Sequence, residues 1–265
     1  MRLPVLVAVL MLVSRSLQAA PEANDHLATA RRLYNQGQFS AAIEAADRAR
    51  SVAAAADSAD LIAARAYLEQ FRSSAAPDDL KTARERLRRI DPRRFLGRER
   101  TEYLVGVGEA LYFEETFGAA ASVFASVLPN LSGLSADARE YVLDWWASAL
   151  DRDARQRPAI ERQAVYQRIL DRMSEEVSGN PGSRAACYWL AAAARGEGDL
   201  QSAWNAAEAG WLRAPLAADG GAALRADLEL LVLNAIIPER ARVLAQPPDA
   251  LQHEWDGFKE RWVGK

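Results

Sequence analysis

The sequence predicts an all-α chain, and three observations carry that expectation. Alanine, the best helix former, supplies about one residue in five. Apolar and small residues recur at spacings of three and four, as on one face of a helix, while strand-like alternation is almost absent. Gly and Pro punctuate these segments where helices would end. The 265 residues are 50% hydrophobic and 26% charged, with one Cys and a net charge of −3. Such a chain can bury a sizeable core. That composition excludes a disordered, collagen-like or disulfide-stapled protein. The basic residues are thirty Arg against three Lys (Lys81, Lys259 and Lys265), which reads as the codon bias of a GC-rich genome rather than as chemistry.

The first segment, residues 1–19, reads as a secretory signal peptide. Arg2 precedes an apolar run from Leu3 to Val13, and small residues close the segment at Ala19 and Ala20. Eleven apolar residues are too few for a membrane-spanning helix, which needs about 20. Export is therefore expected, and no Cys follows the run to carry a lipid. Cys187, the single thiol, sits beside Tyr188, Trp189 and Leu190. Buried and inert is the expected state.

From residue 23 the chain repeats itself. Segment 184–215 places Leu190, Ala191 and Ala194 before Gly198-Asp199-Leu200, then Ala203, Ala207 and Pro215. Segment 101–130 gives Leu104, Gly108 and Leu111, then Phe117, Ala120 and Phe124; segment 23–50 gives Ala30 and Leu33, then Gly37-Gln38-Phe39, Ala42, Ala46 and Ala49. Small residues in this pattern let two antiparallel helices cross closely, larger ones fill the space beside the crossing, and Gly37 and Gly198 suit left-handed helix ends. The pattern resembles the tetratricopeptide repeat, whose W-x2-L-G-x2-Y, A-x3-F and P positions span 34 residues. The resemblance implies a helical-hairpin solenoid over residues 20–216. Two further hairpins are expected in the gaps, one from helices at 57–72 and 80–90 with a long connection over 73–79. The other pairs 137–150 with 160–177. The total is about five hairpins.

Residues 217–265 carry no repeat and are expected to form a helical C-terminal cap. A nearly continuous apolar helix over 222–237 should stop at Pro238. After Pro247-Pro248, Asp249 can cap a last helix with Leu251, Trp255, Phe258 and Trp262 on one stripe. Such a stripe closes a solenoid end, or else offers itself to a partner's groove or a membrane surface.

Chemistry is sparse. The two histidines, His26 and His253, lie far apart with no Cys or His at metal-ligand spacing, so no metal site and no cofactor are expected. No G-x-S-x-G elbow or phosphate-binding G-x-x-x-x-G-K-[ST] loop occurs. Asp151-Arg152-Asp153 opens like a calcium loop but lacks the later Gly and Glu. A non-catalytic role follows as the expectation: a scaffold or adaptor for a protein or peptide in the cell envelope, periplasmic or secreted, without nucleic acid and not integral to the membrane after signal cleavage.

Two surfaces are candidates. In tetratricopeptide arrays the first helix of each hairpin lines a concave groove where peptides bind. By that resemblance Arg31, Tyr34 and Asn35, then Glu109, Tyr112 and Phe113, then Tyr188 and Arg195 would face it. The family's carboxylate clamp uses Lys and Asn at such positions. Here Leu27 and Arg31 occupy two of them, so that clamp is not expected. The alternative surface is the basic segment 81–100, with nine basic residues against three acidic ones. Arg84, Arg88, Arg89 and Arg93 there could take an anionic ligand: a lipid headgroup, a polymer or an acidic protein.

Overall fold

Alanine-rich faces allow helices to lie close together, and the architecture follows from that freedom. A computed structural model describes residues 25–262, which are helical throughout apart from short connections, with helices packed in adjacent pairs. Residues 1–19, expected from sequence to be a signal peptide, lie outside the described residues. The chain divides into two compact units, Met1–Gly133 and Leu134–Lys265.

In the first unit α1 (25–35), α2 (Phe39–Arg50), α3 (Ala56–Ser74), α4 (Pro77–Arg89), α5 (Gly97–Phe113) and α6 (Phe117–Val127) follow in order. Gly37 takes φ 72° in the α1–α2 turn, a left-handed geometry that a side chain would strain. Helix α3 is buried on two faces. Its Ala59, Ile62 and Ala63 join Leu27, Ala30, Ala45 and Ala46 of α1 and α2, while Leu61, Ala64 and Leu68 join Ala83 and Leu87 of α4 and Ala110 of α5. Ala83, Leu87 and Ile90 turn inward as the spacing predicts, leaving Arg84, Arg88 and Arg89 exposed. The α3–α4 connection corrects the expectation of a long link over 73–79. Only Ala75 and Ala76 join the helices, because Ala75 adopts a left-handed φ of 54° and Pro77, with φ already preset, starts α4.

The α5–α6 crossing depends on a glycine. A Cβ built on Gly108 would lie 2.7 Å from the ring of Phe124, which is wholly buried. A side chain there would have to displace that buried ring, so the glycine helps set how closely these helices approach.

The second unit runs α7 (Ala136–Arg155), α8 (Ala159–Gly179), α9 (Arg184–Glu197), α10 (Leu200–Arg213), α11 (Ala222–Leu231), α12 (Ile237–Leu244) and α13 (Pro248–Trp262). Ser135, Ser183 and Asp199 cap α7, α9 and α10 by accepting amide hydrogens of Ala138, Ala186 and Ser202. Glu140 of α7 accepts from the Ser183 hydroxyl at 3.1 Å and the Ala185 amide at 2.8 Å, tying α7 to the start of α9. Buried Glu176 of α8 pairs with Arg139 and Arg172. Cys187 is buried and free, and burial pushes its thiol pKa up, which keeps it unreactive.

Three expectations about the C-terminal part need correction. Pro238 does not stop the helix over 222–237. A π turn at Val232–Ile236 carries the chain on, and Pro238 lies in the first turn of α12. A proline removes its own amide donor and crowds the carbonyl four residues back, and the wider turn, which holds that residue, accommodates both. Asp249 lies inside the first turn of α13 rather than capping it, because the preset φ of Pro248 already suits the first helical position. The apolar stripe is also shorter than expected. Leu251, Trp255 and Phe258 are buried, whereas Trp262, at the end of the helix, is 62% exposed.

That stripe sits in the same core as α9–α12. Trp255 meets Trp204 and Trp211 edge-on at 5.8 and 5.5 Å and stacks on Phe258 at 5.6 Å. Its indole N–H donates to Glu229 at 2.9 Å, and Lys259 reaches the same carboxylate at 2.7 Å. The last helix is thus an intramolecular closure of the second unit along three of its four stripe residues. Of the adjacent pair on α7, Trp146 is buried and Trp145 half-buried, pointing to different sides as the 100° step along a helix requires.

Trp255→Ala should cost about 3–5 kcal/mol in urea unfolding, whereas Trp262→Ala should stay within about 0.5 kcal/mol. Equal losses would refute this placement of α13. Gly108→Ala should destabilise the first unit by about 1–3 kcal/mol despite alanine's better helix propensity. An unchanged midpoint would mean that the Phe124 contact is not closed. The Asp199 carboxyl is held below its ordinary pKa by the Ser202 hydroxyl and amide. A carboxyl lowered in the fold stabilises it above the unfolded pKa and loses that contribution as pH falls. Asp199→Ala should therefore cost about 1 kcal/mol at neutral pH, and the gap to wild type should shrink below about pH 4. A gap independent of pH would sink the capping role.

Candidate functional site

The last two turns of α1, the middle of α3 and the first two turns of α5 surround a cavity of about 420 Å³. Its walls are Arg31, Tyr34 and Asn35 from α1, Ile62 and Arg65 from α3, and Arg98, Glu99 and Glu102 from α5. Helical spacing places them there, since Arg31 and Asn35, Ile62 and Arg65, and Arg98 and Glu102 are each three or four residues apart and share a face.

Opposite charges alternate around the cavity. Arg31 pairs with Glu99, which also accepts from the Ser58 hydroxyl at 2.8 Å. Glu102 accepts from Arg98 at 2.7 Å and faces Arg65 at 3.4 Å. The Arg65 guanidinium lies over the Tyr34 ring, 4.6 Å from its centre. Burial pushes the Tyr34 phenol well above its usual pKa. Arg65 opposes that shift, and Glu109, Glu69 and Glu102 add to it. The phenol therefore stays protonated, a hydrogen-bond donor throughout the physiological range. Ile62 adds a buried apolar wall.

The structure brings together only part of the set expected from sequence. Arg31, Tyr34 and Asn35 line the cavity; Glu109, Tyr112 and Phe113 do not. Glu109 is buried, Tyr112 meets Phe117 edge-on at 5.2 Å, and Phe113 meets Phe71 at 4.9 Å. Tyr188 and Arg195 belong to the second unit. The half-buried Tyr188 meets Trp189 edge-on, and Arg195 reaches Glu239 at 3.0 Å, which raises its pKa.

Most of the basic segment 81–100 is neutralised by carboxylates. Arg84 bonds Glu114 at 2.7 Å, Arg86 reaches Asp60 and Asp47, Arg93 grips Asp91 with two nitrogens, and Arg94 pairs with Asp57. Arg88 and Arg89 are exposed and have no carboxylate partner among the described residues. The sequence reading missed Ile62, Arg65, Arg98, Glu99 and Glu102 as a group. A register taken from Gly108 and Ala120 points to the last turns of α5, but the 19-residue α3 and the short helical turn at Pro92–Arg94 bring the start of α5 to α1 instead. Arg98 was visible only as one member of a basic run.

Among the described residues no group of three or more His, Cys, Asp or Glu is placed to hold a metal ion, and no helix is long and apolar enough to cross a membrane. No family model matches the chain, and neither a curated protein nor a solved structure matches it.

Proposed function

We propose that this chain is an exported helical-repeat adaptor of the tetratricopeptide type, holding a peptide or protein partner in the cell envelope without catalysing a reaction. The partner would lie on the face formed by α1, α3 and α5. The observation that supports this reading is the convergence of side chains from the first helix of three successive hairpins on one cavity. In repeat proteins of this type, those helices carry the ligand. Arg and Tyr line the cavity, residue types enriched at interfaces, and they are positioned by rigid helices rather than loops. Export rests on the pattern of residues 1–19.

Capture from envelope extract with residues 20–265 tests the reading. Asn35 is exposed at the rim, so Asn35→Trp should plug the cavity without disturbing the fold and should abolish retention of the partner. The double reversal Arg88→Glu/Arg89→Glu should leave retention intact. A partner held equally by the plugged variant would refute the α1–α3–α5 face. Loss confined to the Arg88/Arg89 variant would move binding to the basic segment and an anionic ligand. Intact mass of the protein recovered from the envelope should lack residues 1–19; a full-length mass would overturn cleavage.

A further inference from the structure

The cavity between α1, α3 and α5 has a feature that a peptide-docking face does not require: it displays both charge signs at short range, and its arginines fall into two kinds. Arg65 is an inner residue with a side chain 23% exposed, held between Glu102 and the face of Tyr34. Arg31 and Arg98 are rim residues, 49% and 76% exposed. Exposed ion pairs contribute little to stability and exchange partners easily. Each rim arginine also shares its carboxylate with a second donor. If Arg31 turns away, Glu99 keeps the Ser58 hydroxyl at 2.8 Å; if Arg98 turns away, Glu102 keeps Arg65 at 3.4 Å. The two rim guanidiniums can therefore engage an incoming anion without leaving a wall carboxylate bare, which would be the costly outcome.

The wall charges decide what else that ligand must carry. Three guanidiniums face two carboxylates at the wall, and Glu109 and Glu69 also act on Tyr34. The surroundings are thus close to neutral. A dianion such as a phosphate monoester would meet Glu99 and Glu102 at close quarters, and a simple cation would meet three arginines. A ligand bearing one carboxylate and one ammonium matches both signs. Its apolar portion would rest on Ile62 and the Tyr34–Arg65 stack, with the Asn35 amide and the Tyr34 hydroxyl as further donors. A volume of about 420 Å³ suits a small molecule rather than a folded partner.

We infer that this cavity is a binding site for a small zwitterion, an α-amino acid or a very short peptide, with its carboxylate on Arg31 and Arg98 and its ammonium on Glu99 and Glu102. This goes beyond the adaptor reading and stands or falls separately from it, because it needs no macromolecular partner.

Titration calorimetry at low salt, on residues 20–265, tests the inference with leucine, phenylalanine and glutamine as probes. N-acetylleucine retains only the carboxylate, and leucinamide retains only the ammonium. At least one of the three amino acids should bind with a stoichiometry of one. For a leucine response, each single-charge analogue should bind at least ten-fold more weakly. Arg98→Gln should weaken leucine and N-acetylleucine alike, and Glu99→Gln should weaken leucine and leucinamide but spare N-acetylleucine. Thermal melts of both variants should match wild type, since both side chains are partly exposed. No binding of any of the three amino acids at millimolar concentration would overturn the inference. Equal affinity for N-acetylleucine would reduce the cavity to an anion site, and equal affinity for leucinamide to a cation site; either result overturns it. If none of the three amino acids binds while a captured partner is lost on Asn35→Trp, the adaptor reading stands and this one falls. Binding of one of them with no partner captured gives the reverse.

Discussion

Close approach between neighbouring helices is the constraint on which both units rest. It requires one side of each crossing to be small, and the sequence supplies Ala or Gly there. Ala42, Ala83, Ala120, Ala191 and Ala203 are wholly buried, and Gly108 leaves the space that the Phe124 ring occupies. The same relation recurs in the second unit, where a Cβ on Gly196 would lie 2.4 Å from the Tyr166 ring. Van der Waals contact falls off steeply with separation, so a helix pair held this close gains packing along its length. It also loses that packing if a single methyl group intrudes.

Close packing has a consequence for charge. When helices approach through small residues, the long side chains flanking the seam reach across to one another. Arg86 of α4 thereby meets Asp60 of α3, Arg84 of α4 meets Glu114 beyond α5, and Arg139 of α7 meets buried Glu176 of α8. Of the nine basic residues of the run, Arg84, Arg86 and Arg94 reach carboxylates on other elements, while Arg93 and Arg98 pair locally with Asp91 and Glu102. The segment that looks like a basic patch along the chain is thus in part paired with carboxylates in space. Lys81, Arg88, Arg89 and Arg100 are left to face solvent without a carboxylate among the described residues.

The cavity arises where the same rule is incomplete. α1, α3 and α5 present Arg31, Tyr34, Arg65, Arg98 and Glu102 to a common space that no side chain fills. The groups there are polar and rigidly mounted, which is what specific recognition requires and what core packing does not. In the second unit α13 packs on α10 and α12, and its Trp255 and Phe258 complete an aromatic core with Trp204 and Trp211.

The helical class, the pairing of helices and the small residues at the crossings were determined by the sequence alone. They depend on periodicity and side-chain size, which are local properties readable at a spacing of three or four. The burial of Leu87, Ile90 and Cys187 followed for the same reason. The assembly of the cavity was decided only by tertiary structure. Glu109, Tyr112 and Phe113 share a helix with Arg98, Glu99 and Glu102, and which turn of α5 meets α1 depends on the length of α3 and on the turn after α4. The partners of the basic segment were likewise invisible along the chain, because an arginine's charge is written in the sequence while the carboxylate that neutralises it arrives from another helix. Trp262 shows the same limit: periodicity assigns it to the stripe of Trp255, but burial depends on whether another element covers that end of the helix.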